Sequence, residues 1–140
     1  MNAPLYTIGI LRLAAALPEP SPLFRVDGEA ELRSPTCGSF IRTEVQLGPD
    51  GTVAALSQQV QACAFGQASA ALVAAGATDQ TRDQIASARG DLAGWLSGSR
   101  ADPGDWPGLE TLAPARSRTG RHGAILLPFR VLLAAIDGAR

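Results

Sequence analysis

A chain of 140 residues is long enough to bury a core without disulfide or metal staples and short enough for one domain, residues 1–140. Its hydrophobic fraction of 46% and charged fraction of 18% are those of a folded soluble protein. A net charge of −1 gives no electrostatic footing for nucleic acid or an anionic membrane, so neither is expected as a partner.

The chain opens on an apolar run, Leu5 to Leu17, broken by Arg12. The run is shorter than the roughly 20 residues of a membrane helix and lacks the basic leader of a signal peptide, so a cytoplasmic protein is expected. Residues 4–17 read as a helix, with Pro4 in its first turn and Pro18 ending it. Apolar positions lie nearly all round it, so it is expected to be largely buried. Pro18 to Pro22 is an extended connector, because its prolines bar a helix.

Glu29 to Arg33 alternates, with Ala30 and Leu32 on one face and Glu29, Glu31 and Arg33 on the other, the mark of a half-buried strand. Ser34-Pro35-Thr36 turns it into a second strand, Phe40–Leu47, where Ile41, Val45 and Leu47 share a face. Gly48-Pro49-Asp50-Gly51 is rich in turn formers and leads into a third strand, 52–61. If Gly48 pairs with Gly51, partner numbers sum to 99, and Cys37 falls opposite Ala62, one residue from Cys63. Two thiols at one end of a hairpin are a site, a disulfide or a coincidence. In a chain expected to be cytoplasmic, metal ligands or reactive thiols come before a structural bridge, with inert small hydrophobes as the bland alternative.

Three consecutive strands make an antiparallel meander with one wet face, and helices must cover the other. The expected fold class is therefore α+β, a three-stranded antiparallel meander with helices packed on one face. Ala64 to Ala77, rich in small residues, reads as a closely packed helix ended by Gly76 and Thr78. Asp79 to Ser97 reads as another, capped by Thr78 or Asp79. Residues 98–120 read as a loop pinned by Trp106 and Leu109. The last helix is expected from Ala124 or Leu127 to Asp137, because Pro128 fits only a first turn.

Chemistry is concentrated in few residues. Cys63 sits just before a helix, where free N–H groups and the dipole favour a thiolate. Cys37 is followed by Gly38, which admits close approach of a bulky group. His122, the single histidine, also precedes a helix, and reads either as a ligand or as a surface or capping residue. Two cysteines and one histidine would be an incomplete shell for zinc, with one position open, and sulfur favours zinc, Cu(I) or an iron–sulfur cluster over hard cations. The carboxylates show no acid/base pairing, and no phosphate loop or nucleophile elbow is present.

Ser34-Pro-Thr-Cys37-Gly38, a strand pair joined by Pro-Asp-Gly, and Ala62-Cys63-Ala64-Phe-Gly-Gln67-Ala-Ser69 together resemble the U-type iron–sulfur cluster assembly scaffolds, the N-terminal NifU domain and the IscU and SufU proteins. The match covers most of the chain. The resemblance implies the SufE/NifU-like scaffold fold and assigns Cys37 and Cys63 to the first two ligand positions. His122 matches the histidine beside a third cysteine, within His122-Gly123-Ala124-Ile125-Leu126. Ser39 stands where the family carries aspartate, and Gly123 where it carries that third cysteine. A chaperone-recognition motif survives at best as Leu112-Ala113-Pro114-Ala115-Arg116.

The resemblance thus implies a non-enzymatic scaffold or carrier for an iron–sulfur cluster, [2Fe–2S] in type, or for zinc, with Cys37, Cys63 and His122 as ligands. It implies a cysteine desulfurase and apo iron–sulfur proteins as partners, and a homodimer as one source of a further ligand. The alternatives are a zinc-dependent sulfur acceptor for a desulfurase, and a metal-free module that regulates cluster assembly.

Overall fold

The computed structural model describes residues 6–34 and 38–139. A three-stranded antiparallel sheet, in the order β1 (Gly28–Arg33), β2 (Phe40–Leu47) and β3 (Val53–Gln61), forms one layer. The other layer holds α1 (Ile8–Ala15), α2 (Ala64–Gly76), α3 (Arg82–Ser97) and α4 (His122–Gly138). This is the α+β meander that the alternation predicts.

Strand periodicity sorts the faces. On β2, Ile41, Thr43 and Val45 are buried while their neighbours are half-exposed. On β1, Glu29, Glu31 and Arg33 face out and Ala30 and Leu32 face in, as the sequence pattern has it. The wet face carries ion pairs such as Arg42 with Glu29 at 2.7 Å, and the Arg33 guanidinium lies 4.8 Å from the Phe40 ring centre. Next to β1, Asp27 accepts from the Leu47 amide at 2.7 Å and pairs with Arg25. The Arg25 hydrogen bond, then that amide, hold its carboxyl below the usual range.

The hairpin register departs from the simple count. The turn is closed by Gly51 N–H to Gly48 O at 3.0 Å and Gly48 N–H to Thr52 O at 2.8 Å, so the first pair sums to 100. A bulge between Gln46 and Leu47 then adds one more, giving Gln46↔Ala55 through Phe40↔Gln61, all summing to 101. Continued past Phe40, that register sets Ser39, rather than Cys37, opposite Ala62. The motifs still meet at one sheet end.

The helices and the loop before α4 need five corrections. Helix α1 is shorter than the expected 4–17: it ends at Ala15, and Thr7 caps its start, the hydroxyl accepting from the Ile10 amide at 3.2 Å, while Pro4 lies outside the described residues. Only Ile10 is fully buried, because α1 packs by one side against α2, and Ile8 is 69% and Leu11 49% exposed. Helix α3 is capped by Thr81, in a reciprocal box with Gln84, and not by Thr78 or Asp79. Asp79 instead takes a positive φ of 70° and clips β3, its amide donating to Val53 O at 2.8 Å.

Helix α4 begins at His122, so Pro128 is interior rather than in the first turn. The missing Pro128 N–H frees the Ala124 carbonyl, which faces Gly66 of α2. The Ser69 hydroxyl of α2 donates to the next carbonyl, Ile125 O, at 2.6 Å. Finally, the expected loop before α4 contains 3-10 turns over Leu109–Ser117 and Thr119–Arg121. Trp106 and Leu109 do pin it: the indole N–H donates to Leu72 O at 2.9 Å, and its ring meets Phe129 edge-on.

Helix α4 lies across β1 and β2 and contacts α2 and α3. Gly28 lets it come close, since a Cβ there would collide with the carbonyl oxygen of Ala135. The core is Ile10, Val45, Phe65, Leu72, Ile85, Leu92, Phe129 and Leu132 with their neighbours.

Candidate metal or cluster site

Cys63 is the N-cap of α2, extended at φ −66° and ψ 172°, half-buried, and makes no capping hydrogen bond through its side chain. Small residues behind it let the junction stay tight: Gln67, four residues on, donates its amide to Cys63 O at 2.9 Å and its side-chain nitrogen to Ala62 O at 3.0 Å. The sulfur is thus held at a helix start whose first N–H groups lack a side-chain acceptor.

His122 is the first residue of α4. Its Nε2 lies 2.8 Å from Ala115 O and 3.2 Å from Arg116 O. Both partners only accept, so Nε2 carries the hydrogen and Nδ1 of the neutral ring keeps its lone pair. A histidine that ligates a metal characteristically gives its other N–H to a carbonyl in this way. The carbonyls themselves are fixed from α3, because Arg116 donates to Trp95 O at 2.9 Å and lays its guanidinium over the Trp95 ring.

Cys37 lies outside the described residues, as does most of the expected 34–36 turn, but both ends of that connection are described. Ser34 N–H donates to Ser39 O at 2.8 Å and Gly38 N–H to Ser34 O at 3.0 Å. Gly38 has φ +70° and open space where a Cβ would stand, so glycine is there for conformation and not for room. Ser39 is buried at this sheet end.

The pieces converge. A Cβ on Gly66 would lie 3.4 Å from Ala124 O, so the starts of α2 and α4 are neighbours. A Cβ on Gly123 would meet Ser34 Oγ at 2.8 Å, so the start of α4 also touches the end of β1. Cys63 and His122 thereby sit on neighbouring helix starts, and Ser34 at the end of β1 lies against the second of them. Among the described residues, no group of three or more His, Cys, Asp and Glu is placed to hold a metal ion. Sequence reasoning named Ser34 and Gln67 only as members of the two motifs and gave neither a role; the position of Gln67 four residues after Cys63, one helical turn, was the available signal.

No protein-family model matches the chain, and no curated protein matches it. Solved structures do. An N-terminal NifU-like protein of Brucella abortus is 28% identical, with a TM-score of 0.87 over 96% of this chain and 94% of that one. A protein of Fervidobacterium islandicum AW-1, named as an iron–sulfur cluster assembly scaffold protein for the SUF system, is 15% identical, with a TM-score of 0.80 over 94% of this chain and 96% of that one. The three-stranded sheet with helices on one face is the NifU-like scaffold fold, and the chain resembles the U-type iron–sulfur scaffold family in structure as well as in motif.

Proposed function

We propose that the protein is an iron–sulfur cluster assembly scaffold or carrier, not an enzyme, that holds its cargo through Cys37, Cys63 and His122. The carrying observation is the meeting of two helix starts, with Cys63 on one and His122 on the other, beside Ser34 at the end of β1. Sulfur and imidazole suit a [2Fe–2S] cluster or zinc rather than a hard cation. Such a donor set leaves one position of a tetrahedral metal for an outside ligand, which suits cargo that must be passed on. A cysteine desulfurase as sulfur source, apo iron–sulfur proteins as recipients, a second copy as ligand donor and a cytoplasmic location all belong to this reading.

Anaerobic reconstitution with iron and sulfide, beside a zinc-loaded control, tests it. Wild type is expected to gain stoichiometric iron and a visible charge-transfer band. Cys37→Ala and Cys63→Ala are each expected to lose both while their circular dichroism stays native. Full metal content in both variants, or none in wild type, overturns the assignment.

A further inference from the structure

A strand in an antiparallel sheet turns the N–H and C=O of alternate residues to one neighbour, so pairing on one side fixes what the other side offers. Ser34 N–H donates to Ser39 O in the register of β1 and β2, so every second pair from there is bonded: Leu32 with Ile41, Ala30 with Thr43, Gly28 with Val45. Phe40, Arg42 and Glu44 therefore turn to β3, where they face Gln61, Gln59 and Ser57. Leu56, Gln58 and Val60 are left with N–H and C=O on the outer edge of the sheet. Among the described residues no other segment bonds to these groups. The pairing of this edge, Val53 N–H to Gln80 O and Asp79 N–H to Val53 O, stops short of Leu56.

The edge is also unguarded. The opposite edge, β1, carries Glu29, Glu31 and Arg33, charges of the kind that deter pairing, whereas 56–60 reads Leu-Ser-Gln-Gln-Val. Across a groove of about 450 Å³ from 58–61 stand the end of α1 and the connector that follows it. That connector cannot close the edge as a strand would: Pro18, Pro20 and Pro22 have no N–H, and the Ser21 N–H goes to the Ser57 hydroxyl at 3.1 Å.

We propose that this groove takes an extended peptide of another protein, added to β3 as a fourth strand. A peptide backbone is the ligand whose donors and acceptors alternate at the spacing of the edge. A second copy of the sheet is disfavoured, because the connector stands in front of the edge. Ala14, Ala15 and Leu17 give the groove an apolar side, and Glu19 is the one charge among its lining residues. The matching peptide alternates apolar residues with basic ones. None of this rests on the metal or cluster site.

The probe is the synthetic peptide acetyl-Val-Lys-Val-Lys-Val-amide, titrated into the full chain and followed by amide hydrogen exchange in NMR spectra. In the protein alone, the amides of Ser57, Gln59 and Gln61 are expected to be protected and those of Leu56, Gln58 and Val60 to exchange freely. The peptide is expected to slow exchange at the second set by roughly tenfold or more, and Glu19→Lys to weaken its binding several-fold. Methylating one alternate set of the peptide's amide nitrogens is expected to abolish binding, and methylating the other set to leave it, because a strand pairs by one side at a time. Equal effects from the two sets overturn the proposal, as does an absence of binding at millimolar peptide. Protection of Leu56, Gln58 and Val60 in the protein alone that dilution removes overturns it too, and gives the edge to a second copy.

Discussion

Thr43 and Gln58 face each other across β2 and β3 on the buried side of the sheet. Gln58 spends its amide nitrogen on Ala70 O at 2.9 Å, tying β3 to α2, but neither Gln58 Oε1 nor Thr43 Oγ1 has a hydrogen-bond partner among the described residues. An unpaired buried hydroxyl costs folding free energy, so its removal should be cheap. Thr43→Val is expected to leave urea-unfolding stability unchanged or raise it by up to about 1 kcal/mol, since shape is kept and a desolvated hydroxyl is lost. A loss larger than that would mean a bridging water satisfies both atoms. This pair was not legible in sequence: alternation puts residue 43 on the inner face with Ile41 and Val45, but no local pattern says which side-chain oxygens stay unpaired. Ser34 against Gly123 was hidden for the same reason, as the contact joins opposite ends of the chain.

Elements were more legible than their boundaries. Period-2 alternation and a Pro-Asp-Gly turn located the strands, and the small-residue run located α2. Boundaries failed where chemistry competed. Thr81-x-x-Gln84 is a capping box in plain sight, yet the earlier Thr78 and Asp79 are equally good caps by residue type, and Asp79 is drawn off to clip β3. Pro128 points to a helix start, because an interior proline loses a hydrogen bond, yet α4 holds it in its interior against α2, α3 and the sheet. Thr81→Ala removes the side-chain half of the α3 box and is expected to cost about 1 kcal/mol in chemical denaturation, with the site unaffected. A cost near zero would show that packing of Ile85, Leu92 and Trp95 alone holds α3.

At the scale of the whole molecule, everything hangs on α4. Its start carries His122 and its end passes over Gly28, so one helix connects the candidate site to the far end of β1. Gly28→Ala forces a methyl group into the Ala135 carbonyl, and is expected to destabilise the fold by roughly 1–3 kcal/mol, as overpacking does. Urea unfolding measures it, and a neutral result would mean that α4 slides freely on the sheet. The architecture was legible from the strand order and the need to cover one face. The candidate site was legible only as residues: the cysteine motifs and His122 stand out in sequence, while the carbonyls that hold the imidazole belong to a 3-10 segment that composition presents as plain loop.

The start of α2 has a consequence for the life of the protein. Cys63 caps the helix without a side-chain hydrogen bond, so the first amides of α2 await an acceptor that the capping side chain does not provide. Negative charge is welcome there, and whatever brings it tightens the same turn that Gln67 fastens to Ala62, just past β3. Anything that binds there only in the folded state adds its binding free energy to folding, so this turn is stiffer when occupied than when empty. A protease would then cut the empty form faster at this one turn.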